Sequence, residues 1–280
     1  TVANINLKGA SNTFTGATTF ANDGTLTFGD ASSDSFAFND GLTASSVVGT
    51  VTLNASSISS SNDAIAFGAV TLGSNVTIDT NATSTAGDIN IGAVTGGSNT
   101  LTLSTGNNIA NSDVTASGAI SGVTTLTLID VGGIASFAAD VDVTTLTIGN
   151  TVANVSLTGS GSSVTNAVTF GNDGTLTIGD ASGDSFTFDG GLTVSTASST
   201  LAGSIDSSND VITFGAITLA AATTIDTNAS NTTGDIIIGA VTGNNNNLTL
   251  DTTNSTGSAD HTFTGDINLG TGFLNVIGDV

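Results

Sequence analysis

The stretch NDGTLTFGDASSDSFAF, Asn22 to Phe38, returns 150 positions later as NDGTLTIGDASGDSFTF, Asn172 to Phe188. Within it, TLTF at Thr25 and SFAF at Ser35 alternate small polar with apolar side chains, which puts Leu26 and Phe28, then Phe36 and Phe38, on one face of an extended chain. The intervening GDASSD has the Gly, Asp and Ser of a tight turn. Further blocks agree. TVANINL (Thr1 to Leu7) recurs as TVANVSL (Thr151 to Leu157), SNDAIAFGAV (Ser61) as SNDVITFGAI (Ser208), and GDINIGAVTG (Gly87) as GDIIIGAVTG (Gly234), the offset having dropped to 147. The chain is read as two copies of one unit, residues 1–150 and a truncated 151–280, in one continuous rod.

A finer period lies inside the unit. T-x-T-apolar segments begin at Thr25, Thr50, Asn75, Thr100, Thr125, Thr145 and Thr175, with a mean spacing of 25. Second strands are placed at Phe36/Phe38, Ile65/Phe67, Ile89/Ile91, Phe186/Phe188, Ile212/Phe214 and Ile236/Ile238, and weaker third ones at Leu42, Val70/Leu72, Val94 and Ile217/Leu219. Two or three short strands per 25 residues, separated by NDG, GD, GG and SND turns, predict an all-β parallel solenoid of about 25 residues per coil and roughly eleven coils. At about 4.8 Å per coil the rod is ~54 Å long. The competing fold is a pair of β-sandwiches, whose strands also recur at short spacing, but a period sustained through a whole unit favours the solenoid.

Composition supports this reading and excludes much else. Of 280 residues, 36 are Gly; all 23 acids are Asp; Lys8 is the single base and His261 the single histidine; Cys, Pro, Met, Trp and Tyr are absent, and the formal charge is -22. Such a chain cannot neutralise nucleic-acid phosphates, and it has no disulfide, thiolate-metal or Cys-nucleophile chemistry. With 38% hydrophobic residues, only 9% charged and a mean hydropathy of +0.31, it differs from acidic disordered tails. No apolar run reaches membrane-spanning length, and membrane insertion is not expected. A start at Thr1 without any Met points to a longer or processed translation product.

The Thr/Asn/Gly/Asp/Ser/Ala-rich, Cys-free runs TLTIGN, VTLNA and NLTL resemble the β-strand-repeat surface proteins of bacteria, the autotransporter passengers and filamentous-haemagglutinin-like adhesins. That resemblance implies an exported β-helix at the cell surface that adheres or builds layers and fibres.

The candidate site residues are acids. Asp23, Asp30, Asp34 and Asp40, read as recurring at Asp173, Asp180, Asp184 and Asp189, place hard oxygen ligands at short spacing beside glycine, the ligand type that Ca²⁺ takes. The calcium β-roll nonapeptide and the EF-hand loop are both missing. The competing reading makes these residues turn caps and solubilising charges. Outward rows at Thr25/Thr27, Thr100/Thr102, Thr125/Thr127, Thr145/Thr147 and Thr175/Thr177 resemble the ice-binding face of some antifreeze proteins. Catalysis has little to stand on: Asp30/Asp34 and Asp140/Asp142 lack a supporting Trp, Tyr, His or Arg nearby in sequence, His261 reads as an exposed loop residue and Lys8 as a solvated charge. N-x-S/T sequons at Asn54, Asn75, Asn81, Asn154, Asn228, Asn231, Asn247 and Asn254 are what chance supplies in so Asn-, Ser- and Thr-rich a chain.

Neither TVANINL nor FLNVIGDV has the polar character of a solenoid cap. The expectation is therefore an extracellular, non-enzymatic structural protein that self-associates end to end into a surface filament or layer. The shaft of an adhesin for a glycan or host protein is the alternative, and ice binding a lesser one.

Overall fold

The computed structural model describes residues 3–196, 198–228, 234–253 and 259–278. Among them there is no helix, and every strand pairing is parallel. The chain winds as a parallel β-solenoid with three ladders, here called faces I, II and III, visited in that order on each turn. The first turn lays Ile5–Leu7 on face I, Ser11–Phe14 on face II and Thr18–Thr19 on face III. The second lays Leu26–Phe28, Ser35–Phe38 and Leu42–Ala44 over them in register. On face III eleven steps lead from Thr18 to Ile267 through Leu42, Ile65, Ile89, Val114, Ala135, Val155, Leu176, Ser199, Ile217 and Val241.

Coil length is uneven. Paired residues lie 18 apart at Ser199/Ile217, 19 at Val51/Val70, 25 at Leu26/Val51 and 26 at Val94/Ile120. The predicted period of 25 accordingly merges different faces. The segments at Thr25 and Thr50 stack on face I, those at Asn75, Thr100, Thr125 and Thr145 on face II, and that at Thr175 lies on face III. Thr52 pairs with Thr71, not with Thr77, which pairs with Thr102. Four strands, Ile120–Ile129, Val141–Ile148, Ser198–Asp206 and Ile217–Asp226, run through a corner and so belong to two faces each.

This unevenness gives the internal repeat a particular geometry. Leu26 on face I has its copy, Leu176, on face III; Phe36 on face II has Phe186 on face I; Leu42 on face III has Leu192 on face II. A 150-residue step therefore amounts to six full turns and two more faces, and equivalent surfaces of the two copies look in different directions.

Inward side chains form the core. Leu26, Phe28, Phe36, Phe38, Leu42, Ile58, Ile78, Leu103 and their counterparts in the second copy are fully buried, as is Leu128, while the residues between them face outward. Phe28 is the centre of an aromatic cluster, with edge-on rings of Phe20, Phe36, Phe38 and Phe67 at 5.5–6.0 Å. Three buried threonines satisfy their hydroxyls internally: Thr80 donates to the Gly87 carbonyl at 2.8 Å, Thr105 to that of Asp130 at 2.7 Å and Thr227 to that of Gly234 at 2.7 Å.

Candidate functional site: acidic corners and hydroxyl rows

The eight aspartates singled out above are distributed over the corners. In the first copy Asp23 lies between Thr19 on face III and Leu26 on face I, Asp30 and Asp34 between faces I and II, and Asp40 between faces II and III. Only Asp30 and Asp34 share a turn, as do Asp180 and Asp184. Asp34 is 3% exposed, and its Oδ2 accepts the amides of Asp30 and Ala31 at 3.0 and 3.1 Å. Asp184, 7% exposed, accepts those of Asp180 and Ala181, both at 2.9 Å. The turn is further fixed by Gly29 and its copy Gly179, at φ 84° and 76°, where a side chain would collide with the carbonyl of Asn54 or Ala202 in the next coil. Asp189 is not the copy of Asp40. It stands where the first copy has Asn39, as the matching amide bonds to Phe14 and Val164 show, and it accepts the Ser208 hydroxyl. Among the described residues no three His or Asp groups come together in a way that holds a metal ion. Lys8 lies 3.9 Å from Asp30, both well exposed.

Other acids and amides follow a pattern that the sequence reading missed. A side-chain oxygen at a strand entrance accepts a backbone amide from the coil above: Asp88 from Asp113 at 3.0 Å, Asp113 from Ile134 at 2.8 Å, Asp140 from Gly161 at 2.8 Å and Asp235 from Asp260 at 2.9 Å. Asn4, Asn75, Asn154 and Asn247 do the same for Thr25, Thr100, Thr175 and Phe273. Asx residues are suited to this because a short side chain reaches a neighbouring amide from the strand end. The signal was an Asn or Asp one residue before an apolar strand position. Three sequon asparagines, Asn75, Asn154 and Asn247, thus already hold adjacent coils together, and Asn81 and Asn228 donate to the carbonyls of Ser60 and Ser207. Asn231 and Asn254 lie outside the described residues.

On face I of the second copy, Asp206, Asp226 and Asp251 pair in register, one above another. Burial pushes the Asp206 and Asp226 carboxyls above their ordinary value. The Ser204 hydroxyl and the Asn228 amide, respectively, oppose that rise, and the neighbouring carboxylate adds to it, Asp226 for Asp206 and Asp251 for Asp226. Asp142, on the same outward row, is likewise raised by burial and then by Asp140, against the Ser163 amide. In the first copy Asp79 corresponds to Asp226 but has Ser59 and Ser104 as ladder neighbours, so no acid column forms there.

The hydroxyl rows are partly as expected. Thr100, Thr125 and Thr145 stack in one column of face II, and Thr77, Thr102, Thr127 and Thr147 in the next. Thr25/Thr27 and Thr175/Thr177 belong to faces I and III and do not extend that array. Face III carries a single uncharged outward row from Thr19 through Thr43, Thr115, Ser156 and Thr200 to Thr242. Two shallow open grooves follow corners where side chains are small, one at Gly49, Ala69 and Ala93 and one at Gly122, Thr144 and Ser163.

His261 lies in a strand, His261–Phe263, and not in an exposed loop; it continues the inward row of Leu192, Ile212 and Ile236. The alternation that reveals inward positions elsewhere was hidden here because the inward residue is polar.

No protein-family model, no curated protein and no solved structure matches this chain.

Proposed function

We propose that the chain is an extracellular structural rod, a subunit of a cell-surface filament or layer built by end-to-end stacking of solenoid coils. One observation carries the reading. Leu274 and Val276 occupy the ladder positions of Leu248 and Leu250, which are 0 and 1% exposed beneath them, yet are themselves 39 and 47% exposed, with Phe273 beside them at 74%. Apolar side chains in register with a core row make a surface that a coil of a second copy would cover, and among the described residues Leu274–Ile277 pairs with a strand on one side only, which leaves an edge for further pairing. The acid-rich corners keep the sides of the rod soluble while the axis grows. The adhesin-shaft alternative uses the same rod and differs in having a glycan or host-protein ligand on its sides. Electron microscopy of the purified protein tests the proposal: filaments or sheets with a common rod width are expected, and isolated short rods at all concentrations would count against self-assembly.

The in-register threonines of face II favour ice binding as a second reading. Thermal hysteresis measured on the purified chain tests it, with loss expected in Thr102→Lys and Thr127→Lys variants; no hysteresis in the unsubstituted protein removes it.

A further inference from the structure

The lone histidine occupies a position whose equivalents below it are all apolar. Val168, Leu192, Ile212 and Ile236 form the inward row of the five-stranded sheet on face II, each 0–2% exposed, and His261 is the next member, paired with Ile236. Its Nε2 is enclosed and has no hydrogen-bond partner among the described residues. A second enclosed polar atom without a partner among the described residues lies close by, the hydroxyl of Thr252, a residue that is 0% exposed. Both border Gly278: a side-chain carbon there would be 3.3 Å from Thr252 Oγ1 and 3.4 Å from His261 Cε1. The equivalent threonines Thr80, Thr105 and Thr227 all have carbonyl acceptors. This nook therefore differs from the rest of the core in holding an imidazole and a hydroxyl that have no partner among the described residues.

From the geometry we infer that His261 is a pH-responsive latch for its own coil: neutral, it packs as one more core residue, and protonated, it loosens residues 261–277 from the sheet beneath. The groups around it define the balance. From below, Ile236 and Ile238 offer no charge; Asp235 is engaged by the Asp260 amide; Asp251 from the neighbouring strand and Asp260 at the entrance of its own strand favour the imidazolium; Leu274–Ile277 contributes no titratable side chain. Burial outweighs the two carboxylates and holds the imidazole below its ordinary 6.5. A histidine depressed on folding binds its proton more weakly in the folded coil than in the open one. Its coil is thus fully held above pH 6.5 and loses stability as the pH falls below that value.

Amide hydrogen exchange on the full chain, corrected for intrinsic rates, tests this between about pH 7.5 and pH 5. Thr264 donates to Ile238 and Thr252 to Ile277, so both amides report on this coil. Their protection is expected to fall by at least about threefold on acidification, while that of Ile212, deeper in the same sheet, does not fall. His261→Leu, which restores the apolar row, and His261→Gln, which keeps a polar group without the titration, are both expected to remove the fall. An unchanged protection in the unsubstituted protein, or an equal fall in both variants, overturns the inference.

Discussion

Asp34 and Asp184 show how a carboxylate builds a corner: each accepts two amides of its own turn while nearly closed to solvent. Charged acceptors of this kind contribute roughly 1.5–3 kcal/mol per bond, so Asp34→Ala is expected to lower the urea midpoint clearly, and Asp34→Asn, which keeps one acceptor oxygen, to lower it less. Because Oδ2 of Asp34 and of Asp184 already accepts two amides and, among the described residues, no three acids gather in a way that holds a metal ion, millimolar calcium is expected to leave the melting temperature unchanged; a rise that Asp34→Ala abolishes would support the metal reading. The acid column gives a pH prediction of opposite sign to that of the histidine. Asp206 and Asp226 bind protons more tightly folded than unfolded, so the cost of burying their charges, to which the neighbouring carboxylate adds, is complete near neutrality and is relieved as the pH falls towards the ordinary value of 3.8. Global stability contributed by this column should rise on mild acidification, and Asp226→Asn should flatten that rise in denaturation curves taken across the range. The clustering of Asp at turns was legible in the sequence. Which coil's amide each one accepts was not, because that depends on stacking register rather than on local spacing.

At the level of strands, the alternation of apolar and polar residues located many of the elements, from Leu26/Phe28 to Ile236/Ile238, but not such strands as Ser57–Ser60, Ile134–Phe137 and Gly161–Val164, where Ser60, Ala135 and Ser162 take inward places. Their assignment to faces was less legible. TVTL at Thr50 and NVTI at Asn75 look like successive members of one row, yet a coil with 19 residues between Val51 and Val70 intervenes and moves the motif to the next face. Any three-faced coil can present the same T-x-T pattern on any face, since each needs only outward hydroxyls and inward apolar groups. Core energetics depend on the inward members. Phe28, fully buried and in contact with four rings, is expected to cost about 3–5 kcal/mol on truncation to Ala, whereas Thr27→Ala on its outward side should stay within about 0.5 kcal/mol; equilibrium urea unfolding of the two variants checks the contrast.

For the whole molecule, the two copies are alike in sequence but turned relative to each other by two faces. A single flat partner cannot meet equivalent surfaces of both, which suits a rod that presents its sides in several directions more than one with a single binding plane. It also limits the face II threonine array to the coils from Thr77 to Thr147. The three-faced stacking with unequal coils underlies each of these statements, and the absence of cysteine allows it to be tested by placing paired spin labels. Continuous-wave electron paramagnetic resonance of Thr52→Cys/Thr71→Cys and Thr52→Cys/Thr77→Cys labelled pairs is the most direct measurement. Ladder neighbours about 4.8 Å apart should give strong dipolar broadening in the first pair and not in the second; broadening in the second pair without the first would show a uniform 25-residue coil and contradict the account.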